Sequence, residues 1–118
     1  MNANSFKRRI FMEFLINKES IQRKQYKYIS AKDDQILTIV AVAYANGGRL
    51  SVSDLLKNKN IGSPSNVHSR IQRLRQLNLI EYETTEDLRR YQVRPTEKLL
   101  RYFDQLGNVI IKIQKNSK

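Results

Sequence analysis

The chain has 118 residues, of which 22 are Lys or Arg and 11 are Asp or Glu, giving a formal net charge of +11. Hydrophobic residues at 40% and charged residues at 28% suit one soluble globular domain, and two full cores would be cramped in this length. The basic excess points to a polyanion, nucleic acid ahead of an acidic membrane surface, and the absence of Cys excludes disulfides, thiolate catalysis and Cys-ligated zinc. A lone His without ligand-like companions argues against a histidine metal site, and no cofactor is expected.

The longest apolar stretch, residues 36–45, is half of the ~20 residues that a membrane span needs. Lys7-Arg8-Arg9 followed by residues 10–16 imitates the basic and apolar parts of a signal peptide. Glu13 interrupts the apolar part and no small-residue cleavage site follows, so an amphipathic helix of a cytoplasmic protein is expected. Charge concentrates at the two ends, with +5 over residues 1–30 and +3 over 97–118.

Phe6, Ile10 and Phe14 recur at spacing four and predict an N-terminal helix that ends near Asn17. Residues 22–28 follow as a basic connection bearing Tyr26 and Tyr28. These tyrosines either stack on single-stranded bases or pack against the central helix, and packing is favoured. Ser30 is the expected N-cap of that central helix, with Asp33 and Asp34 in its first turn, which suits the helix dipole better than a metal. The helix is apolar on nearly all sides and stops at Asn46-Gly47-Gly48.

A short extended piece at 49–51, a brief helix capped by Ser51 or Ser53, and a turn at 60–62 come next. Ser63-Pro64 opens a further helix running to about Leu77, with Asn78 as its left-handed cap. Residues 79–83 and 88–94 read as two strands, the second with Tyr91 and Val93 on one face and Arg90, Gln92 and Arg94 on the other. Thr96 caps a last helix whose Leu99, Phe103, Leu106, Ile110 and Ile113 form a heptad seam interrupted at Gly107-Asn108. The order predicts a mainly α fold, a winged helix-turn-helix with a two-stranded β wing and flanking N- and C-terminal helices. Three regions are expected: residues 1–30, the winged helix over 31–99, and a C-terminal segment over 100–118.

In the 63–77 helix, Val67, Ile71 and Leu74 share one face. Ser65, Ser69, Gln72 and Gln76 point the opposite way, flanked by Asn66 and Arg73 on one side and His68 and Arg75 on the other. Hydroxyl, amide and guanidinium groups read base edges in the major groove, and small residues at the N-terminal end let the backbone approach. Ser63, Ser65, Asn66, Ser69, Gln72 and Arg73 are therefore the candidate DNA-reading residues. A solvated polar face has a similar composition; the surrounding helix-turn-helix and hairpin favour DNA readout. Lys57 and Lys59 are placed as phosphate contacts. Arg89 and Arg90 sit at the return of the hairpin, where an arginine enters a narrow minor groove or simply lies in solvent. No paired carboxylates, Ser–His arrangement or Gly-rich phosphate loop is present, so no enzyme is expected.

From Ala31 to Leu99 the chain resembles the winged-helix domain of the MarR transcription-regulator family. The run Asp87-Leu88-Arg89-Arg90-Tyr91-Gln92-Val93-Arg94-Pro95-Thr96 keeps the Asp, Arg and Thr of that family's wing at its spacing. Residues 64–74 with Leu77-Asn78-Leu79-Ile80 are similar to its recognition helix and exit, with Asn for the usual Gly. The resemblance implies a regulator of duplex DNA in which Asp87 orients Arg89. The family usually has a longer pair of C-terminal dimerising helices, where this chain has room for one. Phe6, Ile10 and Phe14 together with Leu99, Phe103, Leu106, Ile110 and Ile113 are more apolar surface than a winged helix of this size needs. A homodimer that hides them is expected, with intramolecular docking as the alternative. Two other functions stay open, a replication or chromosome-organising binder with low sequence preference and a protein-interaction winged helix.

Overall fold

The computed structural model describes residues 3–84 and 91–116. The chain divides into two compact units, Ser30–Leu100 and a terminal unit of Met1–Ile29 with Arg101–Lys118.

In the first of these, α2 (Ala31–Ala45) starts at a capping box. The Ser30 hydroxyl accepts the Asp33 amide at 3.1 Å and the Asp33 carboxylate accepts the Ser30 amide at 2.9 Å, so two otherwise orphaned donors are satisfied. The helix ends as the sequence predicts. The Gly48 amide returns to the Ala43 carbonyl at 2.7 Å, with Gly47 and Gly48 at φ of 121° and 83°. Of the apolar residues of α2, Ile36, Leu37 and Val40 are buried, whereas Val42 and Tyr44 are exposed, so the helix is less enclosed than its composition suggests.

A second capping box, Ser51 with Asp54, opens α3 (Val52–Lys57). A single 3-10 turn, Lys59–Ile61, stands where a plain turn is predicted. Next comes α4 (Pro64–Gln76), with Ser63 as N-cap and Pro64 in its first turn. Asn78 takes φ of 60°, and the Leu79 amide reaches back to the Leu74 carbonyl at 3.0 Å, closing the helix. Strands β1 (Ile80–Thr84) and β2 (Tyr91–Pro95) pair antiparallel with Tyr82 opposite Val93. The Leu50 carbonyl accepts the Val93 amide at 2.7 Å and Ser51 bridges Gln92, so the extended piece before α3 lies along the other edge of β2.

Val67, Ile71 and Leu74 of α4 are fully buried with Ile36, Leu37, Leu55, Leu79, Ile80 and Leu99. At 1.5–3 kcal/mol per buried aliphatic side chain, the three α4 residues contribute roughly 5–9 kcal/mol before chain entropy is counted. That outweighs helix propensity in fixing which face of α4 turns outward.

The boundary between the units falls inside α5 (Glu97–Asn116). Thr96 starts it as predicted: its hydroxyl accepts the Leu99 amide at 3.2 Å and donates to the Asn78 carbonyl at 2.7 Å. The helix runs unbroken through Gly107-Asn108, where the sequence suggests an interruption. In the terminal unit, α1 (Ala3–Gln25) also outruns its predicted end at Asn17. Residues 18–25 contain no Gly or Pro, Arg23 pairs with Glu19 one turn earlier, and the Gln22 amide donates to the Tyr102 hydroxyl at 2.7 Å.

Candidate nucleic-acid interface

With Val67, Ile71 and Leu74 inside, the 3.6-residue period of α4 leaves Ser65, Asn66, His68, Ser69 and Gln76 exposed and Gln72 half-buried. The structure thus brings most of the predicted reading residues onto one face. Ser63, at the head of that face, uses its hydroxyl to accept the Asn66 amide at 3.4 Å. Lys57, the last residue of α3, and Lys59, on the short segment that follows it, are both exposed.

Arg73 is placed differently from the expectation of an outward, groove-facing side chain. Its guanidinium donates to Asp33 of α2 at 2.5 Å, and Arg70, one turn earlier, donates to the same carboxylate at 3.3 Å and to the Ser30 hydroxyl at 3.0 Å. Asp33 is fully buried. Burial pushes its carboxyl up, but the Ser30 amide and hydroxyl, the Arg73 charge and the Arg70 hydrogen bond prevail and hold it below the usual carboxylate range. Asp33 therefore does more than cap α2: it fastens α4 to it. The signal in the sequence is an acid in the first turn of an apolar helix and two arginines three apart on a later one. Nothing in that spacing says they meet.

Sequence reasoning also missed a second cluster. Arg75 donates to the Gln72 side-chain oxygen at 3.1 Å, and its guanidinium carbon lies 3.8 Å from the centre of the Tyr82 ring, a cation–π contact. Tyr82 stacks on Tyr91 across the hairpin, 5.3 Å between centroids at 25°. Alternation along β1 turns Glu81 and Glu83 to the opposite face, where Glu83 meets Arg94 at 3.1 Å. The predicted wing residues Asp87, Arg89 and Arg90 lie outside the described residues.

In the terminal unit, Phe6, Ile10 and Phe14 come together with Ile110 and Ile113 around one apolar groove of about 430 Å³. Phe103 and Leu106 are half-buried. Leu99 does not join this seam: it is wholly buried and belongs to the winged-helix unit. Exposed on α1 are Phe11, Met12, Leu15 and Ile16. Tyr26 packs, as favoured, but edge-on against Tyr102 of α5 at 4.9 Å rather than against the central helix. Tyr28 is exposed with Lys27 over its ring. Among the described residues there is no group of three or more metal-ligating side chains, and no helix long and apolar enough to cross a membrane.

No family model matches the sequence, and no curated protein sequence matches it either. Solved structures match it in shape. A DNA complex of S. aureus MepR aligns with a TM-score of 0.68 at 15% identity, over 92% of this chain and 78% of that one. AbsC from Streptomyces coelicolor, a MarR family transcriptional regulator, aligns at 0.58 with 20% identity, over 98% of this chain and 75% of that one. YusO from Bacillus subtilis aligns at 0.56, also with 20% identity, over 96% and 73%. What is shared at such identities is the fold: this chain is a winged helix with flanking terminal helices, built like the MarR-family regulators.

Proposed function

We propose that the chain is a transcription regulator that binds duplex DNA sequence-specifically, as a homodimer, in the cytoplasm. The observation that carries this is the outward face of α4, where Ser65, Asn66, Ser69 and Gln72 present hydroxyls and amides on a helix anchored by its apolar side and by Asp33. Such groups on a rigid helix match major-groove base edges. Ser63 joins the reading residues at the head of the helix, Lys57 and Lys59 supply phosphate contacts beside it, and Arg89 and Arg90, with Asp87 orienting Arg89, reach the minor groove. Arg73 acts chiefly through its hold on Asp33. The DNA-bound state of MepR, a protein of the same fold, supports the reading, as does the net charge of +11. The exposed Phe11, Met12, Leu15 and Ile16 support a second copy as partner of the terminal unit.

The test is selection of bound sequences from a random duplex pool, followed by titration at physiological salt. Preference for the selected site of roughly a thousandfold or more over random duplex is expected. A ratio near one points instead to the low-preference binder. No salt-dependent affinity for any duplex points to the protein-interaction reading.

A further inference from the structure

The winged-helix unit carries a cleft of about 420 Å³ between the start of α3, the outward side of α4 and the inner face of the β1–β2 hairpin. Ser53 and Leu56 of α3, His68 and Gln72 of α4, and Tyr82 and Tyr91 of the hairpin form its walls. Among the described residues no acid lines it: Glu81 and Glu83 occupy the opposite face of β1. Beside it Arg75 is fixed by Gln72 and by the Tyr82 ring. The cleft is thus a mainly apolar trough of Val52, Leu56 and two tyrosine rings, edged by hydroxyl, imidazole and amide groups and with a guanidinium next to it.

We propose that this cleft seats one sugar–phosphate strand of the duplex, with His68, Ser53 and the Tyr91 hydroxyl donating to a phosphate and the tyrosine rings lying against deoxyribose. This rests on the reading of α4 as the groove-entering helix. Adjacent major and minor grooves of B-DNA are separated by a single backbone strand. A protein with one element in each groove must therefore pass that strand between them, and the cleft lies between α4 and the hairpin. The chemistry fits as well. A phosphodiester is an acceptor only, so it is matched by donors without neighbouring carboxylates, and its sugars offer apolar surface to aromatic rings. His68, which the sequence leaves as a surface residue of no special role, becomes a positioning contact that carries no sequence information.

The test uses the full chain and the duplex selected from the random pool, with each phosphate in turn replaced by a neutral methylphosphonate. At one phosphate, or two adjacent ones, wild-type affinity is expected to fall about tenfold. His68→Ala and Tyr91→Phe alter exposed positions, and the second keeps the ring stack on Tyr82. Each is expected to weaken binding of the unmodified duplex several-fold, to keep the selected sequence preference, and to lose sensitivity to that same replacement. Lys59→Ala, outside the cleft, is expected to remain sensitive there. The proposal is overturned if both variants bind like wild type, or if each stays as sensitive as wild type at every phosphate. A wild-type chain that shows no salt-dependent binding to any duplex is a separate result, and it removes the DNA reading itself.

Discussion

Replacing Asp33 by Asn is the sharpest perturbation that the α2–α4 junction offers. Asn keeps the size of the side chain and one oxygen that can still accept the Ser30 amide, but it has no charge for Arg70 and Arg73. Two buried hydrogen bonds to a charged group contribute roughly 3–6 kcal/mol together. The arginine side chains are 30% and 40% exposed and can turn to water, while Asp33 itself is at 0%. With that screening the expected loss for Asp33→Asn is about 2 kcal/mol, a fall in Tm of roughly 8–16 °C for a unit of this size. Urea denaturation measures it as a lower midpoint at unchanged slope. Because the Asp33 carboxyl is held below its ordinary value, its contribution is complete above the unfolded value of about 3.9 and is lost as pH falls through the lower folded value. The gap between wild type and variant is therefore expected to be constant near neutrality and to narrow below about pH 4. A variant within about 0.5 kcal/mol of wild type at pH 7, or a gap indifferent to acid, refutes the clamp.

Log affinity for the selected duplex is expected to fall linearly with log salt, at about −0.9 per phosphate neutralised, in filter-binding or anisotropy titrations. Arg73→Ala is expected to lower stability, seen in the same urea experiment, whereas Arg89→Ala leaves stability unchanged and weakens binding most on duplexes with A·T-rich flanks. Replacing Phe11 and Ile110 by Ser is expected to turn a dimer into a monomer in sedimentation at tens of micromolar, a concentration of the order that populates a weak dimer. A wild-type chain already monomeric there contradicts the homodimer. Asn78→Ala places a Cβ without a compensating polar group at φ of 60° and is expected to cost about 1 kcal/mol in thermal melts.

Local chemistry was legible in the sequence, and long-range chemistry was not. The caps at Ser30, Ser63 and Thr96 and the left-handed Asn78 are set by residues within a few positions of one another, so spacing alone found them. The polar face of α4 followed from the burial of Val67, Ile71 and Leu74 for the same reason. The pairing of Arg73 with Asp33 was not legible because the partners are 40 residues apart and an angle on a helical wheel shows the flank, not the neighbour. Leu99 fits the heptad by spacing, yet its side chain is claimed by the winged-helix core, a choice that periodicity cannot register. The C-terminal end of α1 was missed because its apolar stripe stops before its helix does, and the passage of α5 through Gly107 because propensity, about 1 kcal/mol for a glycine, yields to packing. Ile113 and Tyr102, on either side of Gly107, are both buried.

The hairpin also bears on how the molecule avoids its own kind. The Leu50–Ser51 segment lies on one edge of β2 and β1 occupies the other, which leaves the outer edge of β1 without a strand among the described residues. An open edge is a template for sheet growth between molecules. Here it is only five residues long and alternates Glu81 and Glu83 along it. Two such edges meeting antiparallel would bring carboxylates of one copy toward those of the other, a like-charge pairing that disfavours continuation of the sheet. Acids that look out of place in so basic a chain thereby protect against fibrous stacking, and they do so from the face of β1 opposite Tyr82.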